Sequence, residues 1–346
     1  METEESLAVK IKKTEGEQTR VFLRNHNLLK SNLKIKRSTD YLFIPVKESI
    51  KDFDNFNLVT DSFEKTKQSI STYQHLLNLP IELQSQLPTS FDIIGDIILL
   101  KLPKELQSYS KEIGHALLKT HAHVNTVCTI DPVSGELRRR NVHVIAGKQK
   151  TVTNHKEYGL WFKVDVEKTY FSSRLATERK RISNLIEKNA FVYDMFCGVA
   201  PFSIMIAKYA QPKQVIAVDK NHDAIKLAQH NIQKNNVSNN TIAIHEDALN
   251  TKQILSYHKI IPTHIIMNLP FSAFEFFPLA LQVIKNNGMI HYYDMIDENS
   301  IEKRIDQLKS TAQKYDSTLL ETTMHKIKTY APHEFYIGID ITVSKK

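Results

Sequence analysis

From about Leu185 onward the chain alternates short apolar runs with amphipathic stretches, and this rhythm restricts the fold more than any other feature. The runs are Phe191 to Phe196, Gln214 to Asp219, Thr241 to His245, His264 to Asn268 and Gly288 to Tyr293. Between the first three lie two stretches of helical composition, Pro201 to Ala210 and Asp223 to Lys234. Runs that are apolar throughout belong to strands covered on both faces, and the intervening helices are the cover. The expected class is α/β, a Rossmann-like, mostly parallel, doubly wound sheet. Met324 to Thr329 and Phe335 to Val343, split by Ala331-Pro332, read as a terminal hairpin on that sheet.

The 346 residues allow two to three domains, and three regions are expected: 1–88, 89–184 and 185–346. The first is variable in character and polar, rich in Lys, Asn and Ser, with a helical patch from Phe63 to Leu79 and punctuation at Pro80 and Pro88. The middle region reads as a small α+β domain. Phe91 to Leu100 suggests two short strands around Gly95, Ser110 to Lys119 a helix, and Val142 to Ile145 and Leu160 to Val166 further strands.

With 41% hydrophobic and 24% charged residues, disordered and collagen-like classes are excluded. Two cysteines, Cys128 and Cys197, supply neither a disulfide framework nor a Cys-rich zinc module, which points to a reducing compartment. No apolar run reaches the roughly 18 residues of a membrane helix, and the start Met1-Glu2-Thr3-Glu4-Glu5 is too acidic for a targeting peptide. A soluble, cytoplasmic protein without membrane contact is expected, a nuclear or mitochondrial pool staying open. The net charge is +8, and residues 136–188 hold 13 basic against 6 acidic residues, including Arg138-Arg139-Arg140 and Arg179-Lys180-Arg181. A localised basic surplus is the footprint of a nucleic-acid binder, with a solvated charged face as the bland alternative.

In doubly wound sheets ligands bind beyond the carboxyl ends of the strands, where strand order reverses. The first strand runs into Asp194-Met195-Phe196-Cys197-Gly198-Val199-Ala200-Pro201: an acid, a glycine turn and a helix start. The second ends at Asp219, 25 residues after Asp194, where a carboxylate accepts both hydroxyls of a ribose. The third ends at Glu246-Asp247, where a carboxylate reaches an adenine edge. The Gly-x-Gly-x-x-Gly run that cradles a pyrophosphate is absent. Each acid alone is explained as a helix cap, but three in register without a phosphate cradle fit S-adenosylmethionine and hence a methyltransferase. The fourth strand ends in Asn268-Leu269-Pro270-Phe271, similar to the Asn-Pro-Pro-aromatic turn of enzymes that methylate nitrogen. There the Asn and a backbone carbonyl hold the target near the methyl.

Ahead of the sheet, Ser173 to Ile182 is helical, and Glu178 shares a face with Leu175, Ile182, Leu185 and Ile186. A carboxylate in an apolar stripe suits a general base. Arg174 and Arg181, at i−4 and i+3, offer a structural ion pair instead. His121 and His123, alternating on an expected strand, are a minor metal candidate; no metal is needed for methyl transfer.

These residues carry a resemblance. Ile94-Gly95-Asp96-Ile97, Asn125 to Asp131, Tyr170 to Arg179, Asp194 to Pro201, Asn268-Leu269-Pro270, His291-Tyr292-Tyr293 and Tyr330-Ala331-Pro332 occur in family order across residues 90 to 346. The chain resembles the archaeal and eukaryotic tRNA (guanine-37-N1)-methyltransferases, the Rossmann-type class I enzymes, not the knotted bacterial ones. The first 85 or so residues show little to align, and the family carries a small tRNA-contacting domain there. The resemblance implies S-adenosylmethionine as donor, tRNA with guanine-37 as partner, and a monomer. It places Glu178 as the carboxylate proposed to take the guanine N1 proton and Arg138 as the arginine that holds the base and assists. Asn268 and Pro270 fall on the turn at guanine and donor, and Tyr170 on an aromatic at the closing site. Arg179, Asp219 with Lys220, and Asp247 with Ala248 fall on donor-binding positions. Two departures are Ala200 for the usual Gly, a methyl of tolerable crowding near the donor, and Ser173 for Pro.

The expected reaction is proton removal by Glu178, with Arg138 stabilising charge on guanine O6, followed by in-line attack on the methyl. The base must leave the anticodon-loop stack to reach the pocket. Two alternatives stand beside it: the aminocarboxypropyl transferase of wybutosine synthesis, which lacks the Asn-Leu-Pro motif, and a non-catalytic tRNA-binding protein, in which Glu178 or Asn268 would be replaced.

Overall fold

A computed structural model describes the chain except residues 1–2, 27, 31, 53–55, 66–71, 132–140 and 332; for 24–25, 51–52 and 81 only the backbone is described. The described residues form two compact units, Met1–Asn78 and Leu79–Lys346.

In the first unit, β1 (Thr3–Lys12), α1 (Gly16–Asn25), β2 (Lys36–Arg37), β3 (Tyr41–Pro45) and β4 (Leu58–Glu64) build an antiparallel sheet of order β2-β3-β1-β4. Val9, Leu23, Ile44 and Ile50 close its core. Among the described residues of the helical patch expected from Phe63 to Leu79, which exclude 66–71, no α-helix is formed. β4 carries the chain to Glu64 because it pairs with β1 (Thr60 opposite Leu7, Phe63 opposite Glu4), and Tyr73–Leu76 is a single 3₁₀ turn. Buried Phe63 serves strand periodicity, not a helix face.

The second unit begins with α2 (Ile81–Gln84) and a four-stranded sheet: β5 (Asp92–Ile94), β6 (Ile97–Leu100), β7 (Thr126–Ile130) and β8 (Val142–Gly147), with α3 (Ser110–Thr120) crossing between the parallel β6 and β7. A hairpin follows, β9 (Val152–Glu157) and β10 (Leu160–Asp165), and then α4 (Ala176–Leu185). His121 caps the end of α3 and His123 lies in the turn beyond it, so neither is on a strand. Among the described residues no three His, Cys, Asp or Glu gather as metal ligands.

The large sheet comprises β11 (Phe191–Asp194), β12 (Gln214–Asp219), β13 (Thr241–His245), β14 (His264–Met267), β15 (Gly288–Asp297), β16 (Ser317–Ala331) and β17 (Glu334–Lys345). Five helices connect them: α5 (Pro201–Tyr209), α6 (His222–Lys234), α7 (Thr251–His258), α8 (Ala273–Val283) and α9 (Ile301–Lys314). Strand order is β13-β12-β11-β14-β15-β17-β16, parallel as far as β15, with β17 inserted antiparallel between β15 and β16. The terminal hairpin is therefore longer than expected, and its second strand, not its first, joins the parallel block. β17 reads Phe335-Tyr336-Ile337 and onward as a buried run because it is covered on both faces, whereas β16 is an edge strand with mostly exposed side chains. Strand order reverses between β11 and β14, which makes that pair the switch point.

The middle region shares this unit. Ile94, Ile97, Leu99, Leu160 and Phe162 belong to one apolar core with Val192, Ala217 and Ile266. Residues 79–346 thus form one compact unit around a core continuous from β5 to β14. Among the described residues no helix is long and apolar enough to cross a membrane.

Candidate active site

A cavity of about 820 Å³ opens at the carboxyl ends of β11, β12 and β14. Of the residues singled out from sequence, Tyr170, Arg179, Gly198, Asp219, Lys220, Asp247, Ala248, Asn268 and Pro270 line it. Asp194 and Glu178 are not among its lining residues, and Arg138 lies outside the described residues.

The donor side is built around Asp219. Its Oδ2 accepts the Gly198 N–H and its Oδ1 the Asn221 N–H, both at 2.8 Å. Asn221 in turn caps α6, accepting from Asp223 and Ala224, and donates to the Lys168 carbonyl at 2.8 Å. The carboxylate is thereby fixed against two loops, and each oxygen keeps a lone pair for a ribose hydroxyl. Burial pushes its pKa up, against the opposing pull of the Asn221 and Gly198 N–H groups. Gly198 sits at φ +53°, a left-handed turn that suits glycine, and a Cβ there would have only the Tyr170 carbonyl oxygen within reach, at 3.5 Å. Asp247 caps a 3₁₀ turn by accepting the Leu249 N–H at 2.8 Å while lining the cavity.

Asp194 faces inward instead. Ser203 donates to its Oδ2 at 2.6 Å, its Oδ1 has no partner, and burial pushes the carboxyl up to about 7. Ala200 differs from its sequence expectation as well. It is buried outside the cavity wall at φ +64°, so the methyl crowds no donor; its cost is the left-handed backbone that caps α5.

Arg179 is 1% exposed and doubly bonded to Glu157 at 3.0 and 2.5 Å, with a further bond to the Ser172 carbonyl at 3.1 Å. Its guanidinium lies over Phe171, 5.2 Å from the ring centre. His155 completes the group: its Nδ1 accepts the Gly95 N–H at 3.0 Å, so Nε2 carries the proton, 3.3 Å from Glu157. His155 and Glu157 stand on β9, a strand the sequence did not reveal. Four of the 13 basic residues in 136–188, Lys150, Arg174, Arg179 and Arg181, form ion pairs within the chain.

Glu178 is buried with three donors: Arg181 Nε and Nη2 at 2.8 Å each and the Tyr293 hydroxyl at 2.8 Å. The i+3 ion pair is thus the one formed, while Arg174 reaches Asp92 on β5. Tyr293 packs 6.0 Å from Tyr336, whose hydroxyl donates to the Asn268 side-chain oxygen. Glu178 and the Asn268 turn are therefore linked through two tyrosines, neither of which lines the cavity.

The donor set fits S-adenosylmethionine: carboxylates where ribose and adenine are expected, an open glycine turn and no phosphate-binding run. This sheet order and these strand-end acids define a class I, S-adenosylmethionine-dependent methyltransferase fold. The family profile for the TRM5/TYW2 methyltransferase domain matches residues 153–320, the tRNA methyltransferase 5 N-terminal domain residues 8–54, and the TYW2 N-terminal domain residues 74–151. Trm5b of Pyrococcus abyssi, named a tRNA (guanine(37)-N(1))-methyltransferase, is 39% identical over 98% of this chain and 99% of its own. A crystal structure of that protein superposes with TM-score 0.76 at 38% identity, covering 98% of this chain and 99% of the other. The structure of the complex of aTrm5 and tRNALeu superposes with TM-score 0.68 at 31% identity, covering 97% of this chain and 99% of the other. A Methanocaldococcus jannaschii tRNA(Phe) (4-demethylwyosine(37)-C(7)) aminocarboxypropyltransferase is 34% identical over 71% of this chain and 95% of its own. The chain belongs to the archaeal and eukaryotic-type tRNA (guanine-37-N1)-methyltransferase family. The likeness extends to the first unit, where sequence reading alone found little to align.

Proposed function

We propose that the protein transfers a methyl group from S-adenosylmethionine to N1 of guanine-37 in tRNA, with Glu178 as general base. The observation that carries this reading is that the Asn268-Leu269-Pro270 turn opens onto the same cavity as Asp219 and Gly198. Acceptor and donor sides thus meet at the switch point. Bound there, the donor supplies an electrophilic methyl on a sulfonium sulfur. Asp219 would hold the ribose, Asp247 and Ala248 the adenine edge, and Lys220 and Arg179 the polar tail. Asn268 and the Pro270 carbonyl would orient guanine, Tyr170 would close over it, and Arg138 would oppose charge on O6.

Glu178 takes the N1 proton in this scheme, leaving the lone pair as nucleophile. Its carboxylate is clamped by Arg181 and Tyr293 behind the wall, so in this scheme it leaves that clamp to reach N1 of the bound base. Protein alone often shows catalytic hydrogen bonds in a form that tightens only with substrate. The aminocarboxypropyl alternative is disfavoured by the intact Asn268-Leu269-Pro270 and the match at residues 8–54. Action as a monomer in the cytoplasm belongs to the same reading; both cysteines are buried and unpaired, which suits a reducing compartment.

The test is methyl transfer from labelled S-adenosylmethionine to an unmodified transcript with guanine-37, beside a guanine-37→adenine control. Label in the first transcript only, reduced 100-fold or more in Glu178→Gln, is expected. Equal labelling of both would refute the target base.

A further inference from the structure

Behind the cavity wall a single file of ionisable groups runs from the surface to Glu178, and its protons can be counted. Glu187, 74% exposed, places Oε2 2.7 Å from His264 Nε2. His264 Nδ1 lies 3.1 Å from His291 Nε2, and His291 Nδ1 lies 2.6 Å from Asp340 Oδ1. Asp340 Oδ2 accepts from Arg181 Nη1 at 2.6 Å, and Arg181 grips Glu178 with its other edge. The two imidazole planes are within 7° and their centres 5.4 Å apart, the spacing of rings joined edge to edge by one N–H···N bond.

Three contacts link Glu187 to Asp340, and each needs one proton. The two carboxylates supply none and two neutral imidazoles supply two, so the file holds one proton more. Burial, and then the charge of its neighbour, push His264 down to about 4, which excludes it as the carrier. His291 therefore donates from both ring nitrogens, and His264 is the neutral Nε2–H form, which satisfies all three contacts. Burial alone would raise the Asp340 carboxyl, but the hydrogen bonds from His291 and Arg181 hold it well below the usual carboxylate range. His325 faces the same carboxylate at 3.3 Å, and the Tyr293 hydroxyl faces Glu178.

We propose that His291 and Asp340 are positioning residues for guanine methylation: the His291 imidazolium and the Asp340 carboxylate divide Arg181 between two acids and so set how firmly it holds Glu178. This rests on Glu178 as the base. With Asp340 charged, Arg181 is shared and Glu178 remains a competent proton acceptor. With Asp340 neutral, Arg181 has one anionic partner left, and Glu178 is locked in a simple ion pair.

Two measurements on the full chain test this. Long-range ¹H–¹⁵N spectra of histidine-labelled protein at pH 7.5, assigned with His264→Gln and His291→Gln, should show His291 protonated on both nitrogens and His264 on Nε2 alone; a neutral His291 overturns the count. Single-turnover methylation of the guanine-37 transcript by Asp340→Asn should be slowed tenfold or more, with donor and tRNA affinities unchanged and the acidic limb of its pH–rate profile moved to lower pH. A merely structural role would reduce thermal stability and leave the profile in place, which overturns the proposal. Glu178→Gln in the same assay separates the two readings. If it keeps wild-type rates, the base assignment fails and the positioning role falls with it, whereas the histidine spectra still report the proton count.

Discussion

Arg179 and Glu157 form a buried, two-point ion pair that fastens the helix carrying the proposed base to the β9–β10 hairpin. A charge this deep is tolerable only because its partner is equally deep and Nη2 also donates to the Ser172 carbonyl. Removing one partner leaves the other charged and unpaired. Glu157→Ala is therefore expected to destabilise the fold by about 3–5 kcal/mol, read by chemical denaturation. A loss below about 1 kcal/mol would mean that water enters the site readily.

Two glycines separate stability from binding. A Cβ on Gly95, at φ +56°, would collide with Thr153 Oγ1 and stand 2.5 Å from the Asn154 carbonyl oxygen. Gly95→Ala should cost more than about 2 kcal/mol, since neither backbone nor strand can yield. Gly198→Ala meets no such obstacle, so it should cost only about 1–2 kcal/mol of backbone strain and weaken S-adenosylmethionine binding by its methyl. Thermal unfolding and calorimetric titration of both variants distinguish the two effects.

Asp219 is expected to govern donor affinity. Asp219→Asn keeps an acceptor for one backbone N–H but loses charge-assisted bonds to a ribose, worth about 1.5–3 kcal/mol. Calorimetry should show S-adenosylmethionine binding roughly 10- to 100-fold weaker, with tRNA binding little changed.

Asp194 makes stability depend on pH. Its carboxyl is raised in the folded chain to about 7 by burial, chiefly, and in the unfolded chain returns to about 3.9. A raised acid stabilises fully below its unfolded value, and the contribution is lost as pH rises through about 7. Relative to Asp194→Asn, the wild type should lose roughly 3 kcal/mol between pH 5 and pH 9, at 1.36 kcal/mol per unit. Parallel curves for the two proteins would show that the carboxyl is ionised throughout.

Asp96 has the opposite sign. Burial alone would raise it, but Lys150, Thr153 and Asn125 hold it down to about 2. Its contribution is present above the unfolded value of about 3.9 and is lost as pH falls through about 2. Asp96→Asn should lower the thermal midpoint at neutral pH and match the wild type near pH 2.

The sequence by itself determined the parallel block and the acids at its strand ends. Continuous runs such as Gln214 to Asp219 have no exposed face to give, and the turn residues after them follow from strand length. It equally determined Asn268-Leu269-Pro270, because a motif of adjacent residues needs no partner elsewhere. What it left open were choices between partners distant in the chain. Arg174 and Arg181 were equally placed for Glu178, and only tertiary packing sent Arg174 to Asp92 and set Arg181 between Glu178 and Asp340, 159 residues away. β9 was hidden for the same reason: Thr153 and Glu157 point inward as polar residues, against strand patterning, because Asp96 and Arg179 await them there. His264 and His291, on neighbouring parallel strands, carried no sign of their bond, since register alone brings them together. Periodicity is a local consequence of burial and can be read along the chain. The pairing of buried charges is a three-dimensional settlement of desolvation, and only the assembled sheet decides it.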